Sequence, residues 1–180
     1  MANIFMKEGH RNFSWEKLGD IKEGRKELGE EMPVVVYRML EYAINDILTK
    51  KFGPEKADEC IREAGHLSGS EFAKNVLPLD ADFNEFISVL QKKLVELKIG
   101  ILRIEQFDEA DGSFVLTVAE DLDCSGLPPT NEVVCNYDEG FLSGILEAYS
   151  GQPYHVREID CWASGARVCR FKGNVIVSPA

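Results

Sequence analysis

The placement of cysteines constrains this chain more than any other feature. Cys135, Cys161 and Cys169 stand close together in the sequence with Glu158 among them, so several potential metal ligands share one stretch. The run Glu158-Ile-Asp-Cys161-Trp-Ala-Ser-Gly-Ala-Arg-Val-Cys169 reads as a strand, a turn at Ser164-Gly165 and a second strand. Thiolates and a carboxylate gathered around a hairpin are the donors of a closed zinc site, which acts as a staple rather than a catalyst. Composition alone favours Cys124, Cys135, Cys161 and Cys169; the alternative replaces Cys124 with Glu158. In a flat strand, side chains three apart point to opposite faces. Glu158 and Cys161 can therefore share a metal only if a bulge or the strand end intervenes, and an irregularity is expected at Ile159-Asp160. Burial as plain core thiols is the competing reading. It accounts for one cysteine more easily than for three around one hairpin.

The rest of the composition narrows the function classes. The chain has 180 residues and a net charge of −11, which disfavours nucleic acid and anionic membrane surfaces. No apolar run reaches the roughly 18 residues of a membrane span, and Met1 to Met6 does not open a signal peptide. A cytoplasmic protein is expected, in which five cysteines serve metal binding or burial rather than disulfides.

The chain divides into an N-terminal arm, residues 1–30, and one domain, residues 31–180. The arm is polar and glycine-punctuated, with Phe5, Phe13, Trp15, Leu18 and Ile21 as scattered anchors. A first helix starts near Pro33 and stops at Gly53-Pro54; Val36, Met39, Leu40, Ala43, Ile44, Ile47 and Leu48 repeat at helical spacing. A second helix spans about Pro54–Val76, with Ala57, Cys60, Ile61, Ala64, Leu67 and Phe72 inward and Gly65 and Gly69 interrupting it. A third runs from about Asp82, its N-cap, to Lys98. The period then changes to strands over Gly100–Phe107 and Ser113–Ala119, joined by the turn Glu109-Ala-Asp-Gly112. A fourth helix is expected over about Glu132–Ser150, where Gly140 and Gly144 would let another element approach closely. A final hairpin covers Pro153–Trp162 and Arg167–Val177. Short turns join both strand pairs, so the class is α+β: an antiparallel sheet of about four or five strands with helices packed on it.

Around the cysteines the sequence resembles the vinyl-4-reductase (4-vinyl reductase) domain family. The resemblance rests on Cys135-Asn-Tyr-Asp-Glu-Gly-Phe-Leu-Ser-Gly144, Gly151, and Val156-Arg-Glu158-Ile-Asp-Cys161 followed by Gly165, Cys169 and Phe171. The family includes sensor domains of aromatic-responsive regulators, proteins linked to tetrapyrrole vinyl reduction and stand-alone archaeal proteins. Its fold is shared with trafficking-complex subunits and, more distantly, with haem nitric-oxide sensors. The resemblance implies an apolar pocket between helices and sheet, a homodimer, and zinc held by Cys135, Glu158, Cys161 and Cys169, with Cys124 as a neighbouring buried thiol. The chain departs from the aromatic sensors in two ways. Gly165-Ala166 stands where Gly-Asp is common, and Phe86 stands where a polar anchor for a phenolic hydroxyl would be sought.

Tyr37, Phe83, Phe86, Leu90, Phe114, Leu116, Val156 and Trp162 are the candidate pocket residues, although the same spacing also describes plain core. Among His10, His66 and His155, His66 is a conceivable haem ligand but reads better as a helix-packing side chain. The acidic groups at Asp108-Glu109 and Asp121-Asp123 read as solvated turns rather than calcium loops. No Ser-His-Asp order, phosphate loop or dinucleotide fingerprint is present, so catalysis finds little support. The expected function is a small-molecule binding or sensor module for a hydrocarbon, aromatic or tetrapyrrole-like ligand. The alternatives are an accessory subunit of a tetrapyrrole vinyl reductase, or an assembly subunit.

Overall fold

The computed structural model describes residues 13–176; Phe5, His10 and Val177 lie outside the described residues. The chain divides into two units at Glu30/Glu31. In the first, a 3-10 turn (Trp15–Leu18) is followed by a short helix α1 (Ile21–Gly24), whose N-cap Asp20 accepts the Glu23 amide at 2.9 Å. Neither element contains a buried residue.

The second unit holds four helices, α2 (Val34–Phe52), α3 (Pro54–Val76), α4 (Phe83–Glu96) and α5 (Asn136–Ser150). Its strands are β1 (Ile101–Phe107), β2 (Phe114–Ala119), β3 (Tyr154–Asp160) and β4 (Cys169–Val175). The helix boundaries follow local chemistry. Gly53, at φ 85°, separates α2 from α3, and Pro54 fits the first turn of α3, where its missing N–H is not needed. Asp82 caps α4 by accepting the amides of Asn84 and Glu85, a cap that contributes about 1 kcal/mol. Gly151, in the left-handed region at φ 70°, ends α5. That helix begins at Asn136 rather than near Glu132, because the chain stays non-helical through Cys135, its N-cap.

The four strands form one antiparallel sheet in the order β1-β2-β4-β3, so the fold is α+β. Helix α4 packs on β1 and α5 on β3; α3 lies along α5, and α2 along α3. Leu102, Phe114, Leu116, Val156 and Phe171 meet Phe86, Leu90 and Ile145 in the core between sheet and helices. On the exposed side, Arg170 pairs with Glu105 of β1 and with Asp160 of β3.

Two expectations about the helices change. Leu67 and Ala64 face outward and Cys60 is half-buried, while the expected Ala57, Ile61 and Phe72 form the seam of α3 together with Gly65, Gly69 and Ala73. The glycines that seemed to interrupt α3 are its contact surface. A Cβ at Gly65 or Gly69 would overlap the carbonyl oxygens of Tyr137 or Phe141, and one at Gly140 or Gly144 those of Arg62 or His66. The apolar stripe of α2 is not buried at all: Met39 is 62% exposed and Leu40 64%. The periodicity correctly marks an amphipathic helix, but no described element of the second unit buries that face. No helix among the described residues is long and apolar enough to cross a membrane.

Candidate metal centre and ligand cavity

Four buried cysteines meet where α5 begins and the last hairpin turns. Cys135 is the N-cap of α5, Cys161 follows the end of β3, Cys169 opens β4, and Cys124 comes from the loop after β2. Each is at most 1% exposed. The sulfurs of Cys135 and Cys161, and of Cys135 and Cys169, are 3.8 Å apart, and those of Cys124 and Cys169 3.0 Å. All four lie within 4.8 Å of one another, an arrangement able to hold a metal ion, and none is in a disulfide. Hydrogen bonding within the cluster, from Cys124 first, holds Cys161 below the usual thiol range and pushes Cys135 and Cys169 above it. Burial adds to the rise at Cys135 and Cys169.

The register of β3 slips between Glu158 and Asp160, at the irregularity expected from the spacing of Glu158 and Cys161. The slip leaves Ile159 exposed and turns both Glu158 and Cys161 inward. Glu158 Oε2 accepts the Cys135 amide at 3.0 Å, while its Oε1 is buried without a hydrogen bond among the described residues. Burial pushes its carboxyl up to about 8. Glu139, absent from the sequence-derived site, anchors the same corner. Its Oε1 accepts the Glu158 amide at 2.9 Å, and its Oε2 accepts from Arg62 and Arg157. Its place one turn into α5, opposite two arginines distant in sequence, left no local signal.

The loop carrying Cys124 is gripped by α2. Arg38 donates to the carbonyls of Leu122 and Ser125 at 2.7 and 2.9 Å, and Tyr37 donates to Asp123 Oδ1 at 2.9 Å. Asp121 and Asp123 are only 3% and 4% exposed, so the solvated turn expected there is a buried one. Alternation and turn propensity see the acidic residues but not the helix that covers them. His66 bonds Glu147 at 2.9 Å, a part-exposed pair that links α3 to α5.

At the far end of α5 lies a cavity of about 620 Å³. Phe83 and Ile87 of α4, Ile104 of β1, Phe114 and Leu116 of β2, and Tyr149 of α5 form its walls, with Glu109 and Asp111 at the turn. Of the eight candidate pocket residues, Phe83, Phe114 and Leu116 line it. Phe86 and Leu90 lie in the core, where Phe86 stacks on Tyr149 with centroids 4.0 Å apart. Val156 borders a smaller groove beside Arg62 and His66. Tyr37 is held by Asp123, and Trp162 donates to the Leu127 carbonyl. The walls contributed by Ile104, Tyr149 and Tyr154 went unrecognised because they come together only when β1, α5 and β3 share one end of the fold.

Residues 114–174, from β2 to β4, match the vinyl-4-reductase domain family. The matched segment includes Cys124, Cys135, Glu158, Cys161 and Cys169, whereas α4 and β1, which wall the cavity, precede it. Over 151 residues the chain is 28% identical to the uncharacterized protein MJ1642 of Methanocaldococcus jannaschii, covering 84% of this chain and 83% of that protein. Its fold is similar to a crystal structure of a vinyl-4-reductase family protein from the same organism. There the TM-score is 0.59 and the identity 17%, over 87% of this chain and 89% of that one. The phenol-responsive sensory domain of the transcription activator PoxR, solved with phenol, aligns at TM-score 0.63 and 15% identity, over 82% of this chain and 76% of that one. The likeness in fold to these two structures thus extends across helices that lie outside the matched segment.

Proposed function

We propose that this chain is a sensor module whose vinyl-4-reductase domain binds a hydrophobic small molecule, with a structural zinc ion fixing the opposite end of α5. The cavity carries this reading. Its volume lies in the range of small-molecule sites, its walls are aromatic and aliphatic, and its charged groups are confined to one turn. Such a wall favours a hydrocarbon or aromatic body over a polar metabolite. The phenol bound by the PoxR domain adds weight by fold analogy.

Zinc suits the cluster on its own chemistry. A tetrahedral ion with thiolate arms of about 2.3 Å sets sulfurs about 3.8 Å apart. Two of the sulfur pairs already stand at 3.8 Å. The packed thiols favour ionisation of Cys161 but oppose that of Cys135 and Cys169, and a cation would relieve that opposition. Cys124, Cys135, Cys161 and Cys169 would hold the ion. Glu158 would orient Cys135 through its amide, a supporting role rather than that of a ligand. When bound, the ion ties the Cys124 loop, the start of α5 and the last hairpin together.

Cys135 and the cavity residue Tyr149 stand at opposite ends of α5, roughly 21 Å apart at 1.5 Å per residue. The zinc end is fixed and the cavity end is free to respond to its occupant. A ligand that favours one packing of α4 and α5 over another shifts that balance. The reading of a homodimer rests on α2, whose uncovered apolar face suits a second copy of the same face.

Native mass spectrometry of protein purified from its own source tests the proposal. An apolar ligand retained by the folded protein, and lost when Ile104→Trp fills the cavity, is the expected result. A protein that neither retains such a ligand nor binds apolar fluorescent probes refutes it.

A further inference from the structure

Cys135 belongs to two ligand groups. Besides the four-cysteine cluster, its sulfur lies within 4.8 Å of carboxylate oxygens of Asp121 and Asp138, which are themselves within 4.8 Å of each other. Both carboxylates are buried, Asp121 at 3% and Asp138 at 9% exposed. One oxygen of each has a different standing. Asp121 Oδ1 accepts the amides of Asp123 and Cys124 at 2.9 and 3.1 Å, which fixes its carboxylate beside the Cys124 loop. Asp138 Oδ2 is buried and accepts no hydrogen bond from any described residue.

A buried, unpartnered carboxylate oxygen costs several kcal/mol or is neutralised. The usual remedy is an arginine or lysine. Among the described residues, none of the ion pairs reaches Asp121 or Asp138. Around this corner, Arg38 donates to the main-chain carbonyls of Asp121, Leu122 and Ser125, and Arg62 and Arg157 donate to Glu139. Four thiolates around one divalent ion would already leave a double negative charge beside these carboxylates. A second cation between them answers both the orphaned oxygen and the excess charge.

We infer that Asp121, Asp138 and the Cys135 sulfur form a second divalent-cation site, with the Cys135 thiolate bridging it to the four-cysteine centre. The donor set selects the metal class. Two carboxylates with one thiolate suit a borderline ion such as zinc, whereas calcium and magnesium demand all-oxygen shells. Three protein ligands leave a fourth position open, unlike the closed thiolate site. The second ion therefore binds more weakly and exchanges first. Asp123, 4% exposed and with its own buried Oδ2 unpaired, stands close behind as a further acidic neighbour.

This inference rests on metal occupancy of the four-cysteine centre, and one experiment separates the two. The full chain, freed of metal, is titrated with zinc alone, and the ions per chain are counted by native mass spectrometry and elemental analysis. Two ions are expected, the second removed at least tenfold more readily by a weak chelator. Asp138→Asn and Asp121→Asn, which keep shape and remove charge, are each expected to retain one ion and lose the second. A single ion in the native chain, or two ions in both variants, overturns the second site and leaves the four-cysteine centre standing. No ion at all overturns both. Should either variant fail to fold, the native count alone still decides.

Discussion

Replacing Gly140 with alanine separates what helix propensity predicts from what the packing predicts. In an isolated helix the change adds about 1 kcal/mol of stability, since glycine is the poorest former after proline. In this fold, Gly140 sits against α3, where an added Cβ would lie 2.8 Å from the His66 amide nitrogen and closer still to the Arg62 carbonyl. Ordinary contact begins near 3.4 Å and the Arg62 carbonyl oxygen would stand at 1.9 Å, so the helices would have to part by about 1.5 Å there (3.4 − 1.9). Overpacking costs about 1–3 kcal/mol even where side chains can yield. Here the obstacle is main chain, which cannot turn aside, so the cost lies at the upper end. Set against the propensity gain, the net loss is about 2 kcal/mol. At about 2–4 °C per kcal/mol for a chain of this size, the midpoint falls by roughly 4–8 °C. Thermal and urea unfolding, followed by circular dichroism at fixed metal and protein concentration, measure it. Gly144→Ala, facing the His66 carbonyl and the Ser70 amide, should behave alike. A midpoint that stays level or rises in both variants would refute close backbone contact as the reason for these glycines.

Other predictions address the metal, the cavity and the free helix face. Cys124→Ser should lose bound zinc and, by even about 3 kcal/mol of lost stabilisation, melt roughly 6–12 °C lower, while Glu158→Ala keeps its metal; elemental analysis showing the reverse would assign the ligand to Glu158. Ile104→Trp should weaken binding of an apolar fluorescent probe by about tenfold or more, equivalent to about 1.4 kcal/mol, without changing metal content. Met39→Glu with Leu40→Glu should shift the chain to monomer in analytical ultracentrifugation, and an unchanged mass would dismiss α2 as the homodimer surface.

The local code reached far into this fold. Pro54, Asp82 and Gly151 marked helix ends because capping and φ preferences act within a few residues. Alternating apolar residues with short turns between them gave two hairpins and thus an antiparallel sheet. Even the slip at Ile159 was legible, because two inward residues three apart in a strand require it. The cysteine spacing marked a metal centre for the same reason: few other environments gather so many thiols.

Tertiary structure decided the rest. Gly65 and Gly69 read as interruptions until α5 came against them, since the value of a missing Cβ depends on what fills its place. Asp121, Asp123 and Asp138 read as polar surface or helix start until α2 covered the loop and α5 turned its first residues inward. The cavity draws its walls from α4, β1, β2 and α5, residues that no spacing relates. Sequence periodicity records which side of an element is apolar. Only the assembled fold shows whether that side meets a neighbour, as in α4, a cavity, as in β2, or no described element of its own unit, as in α2.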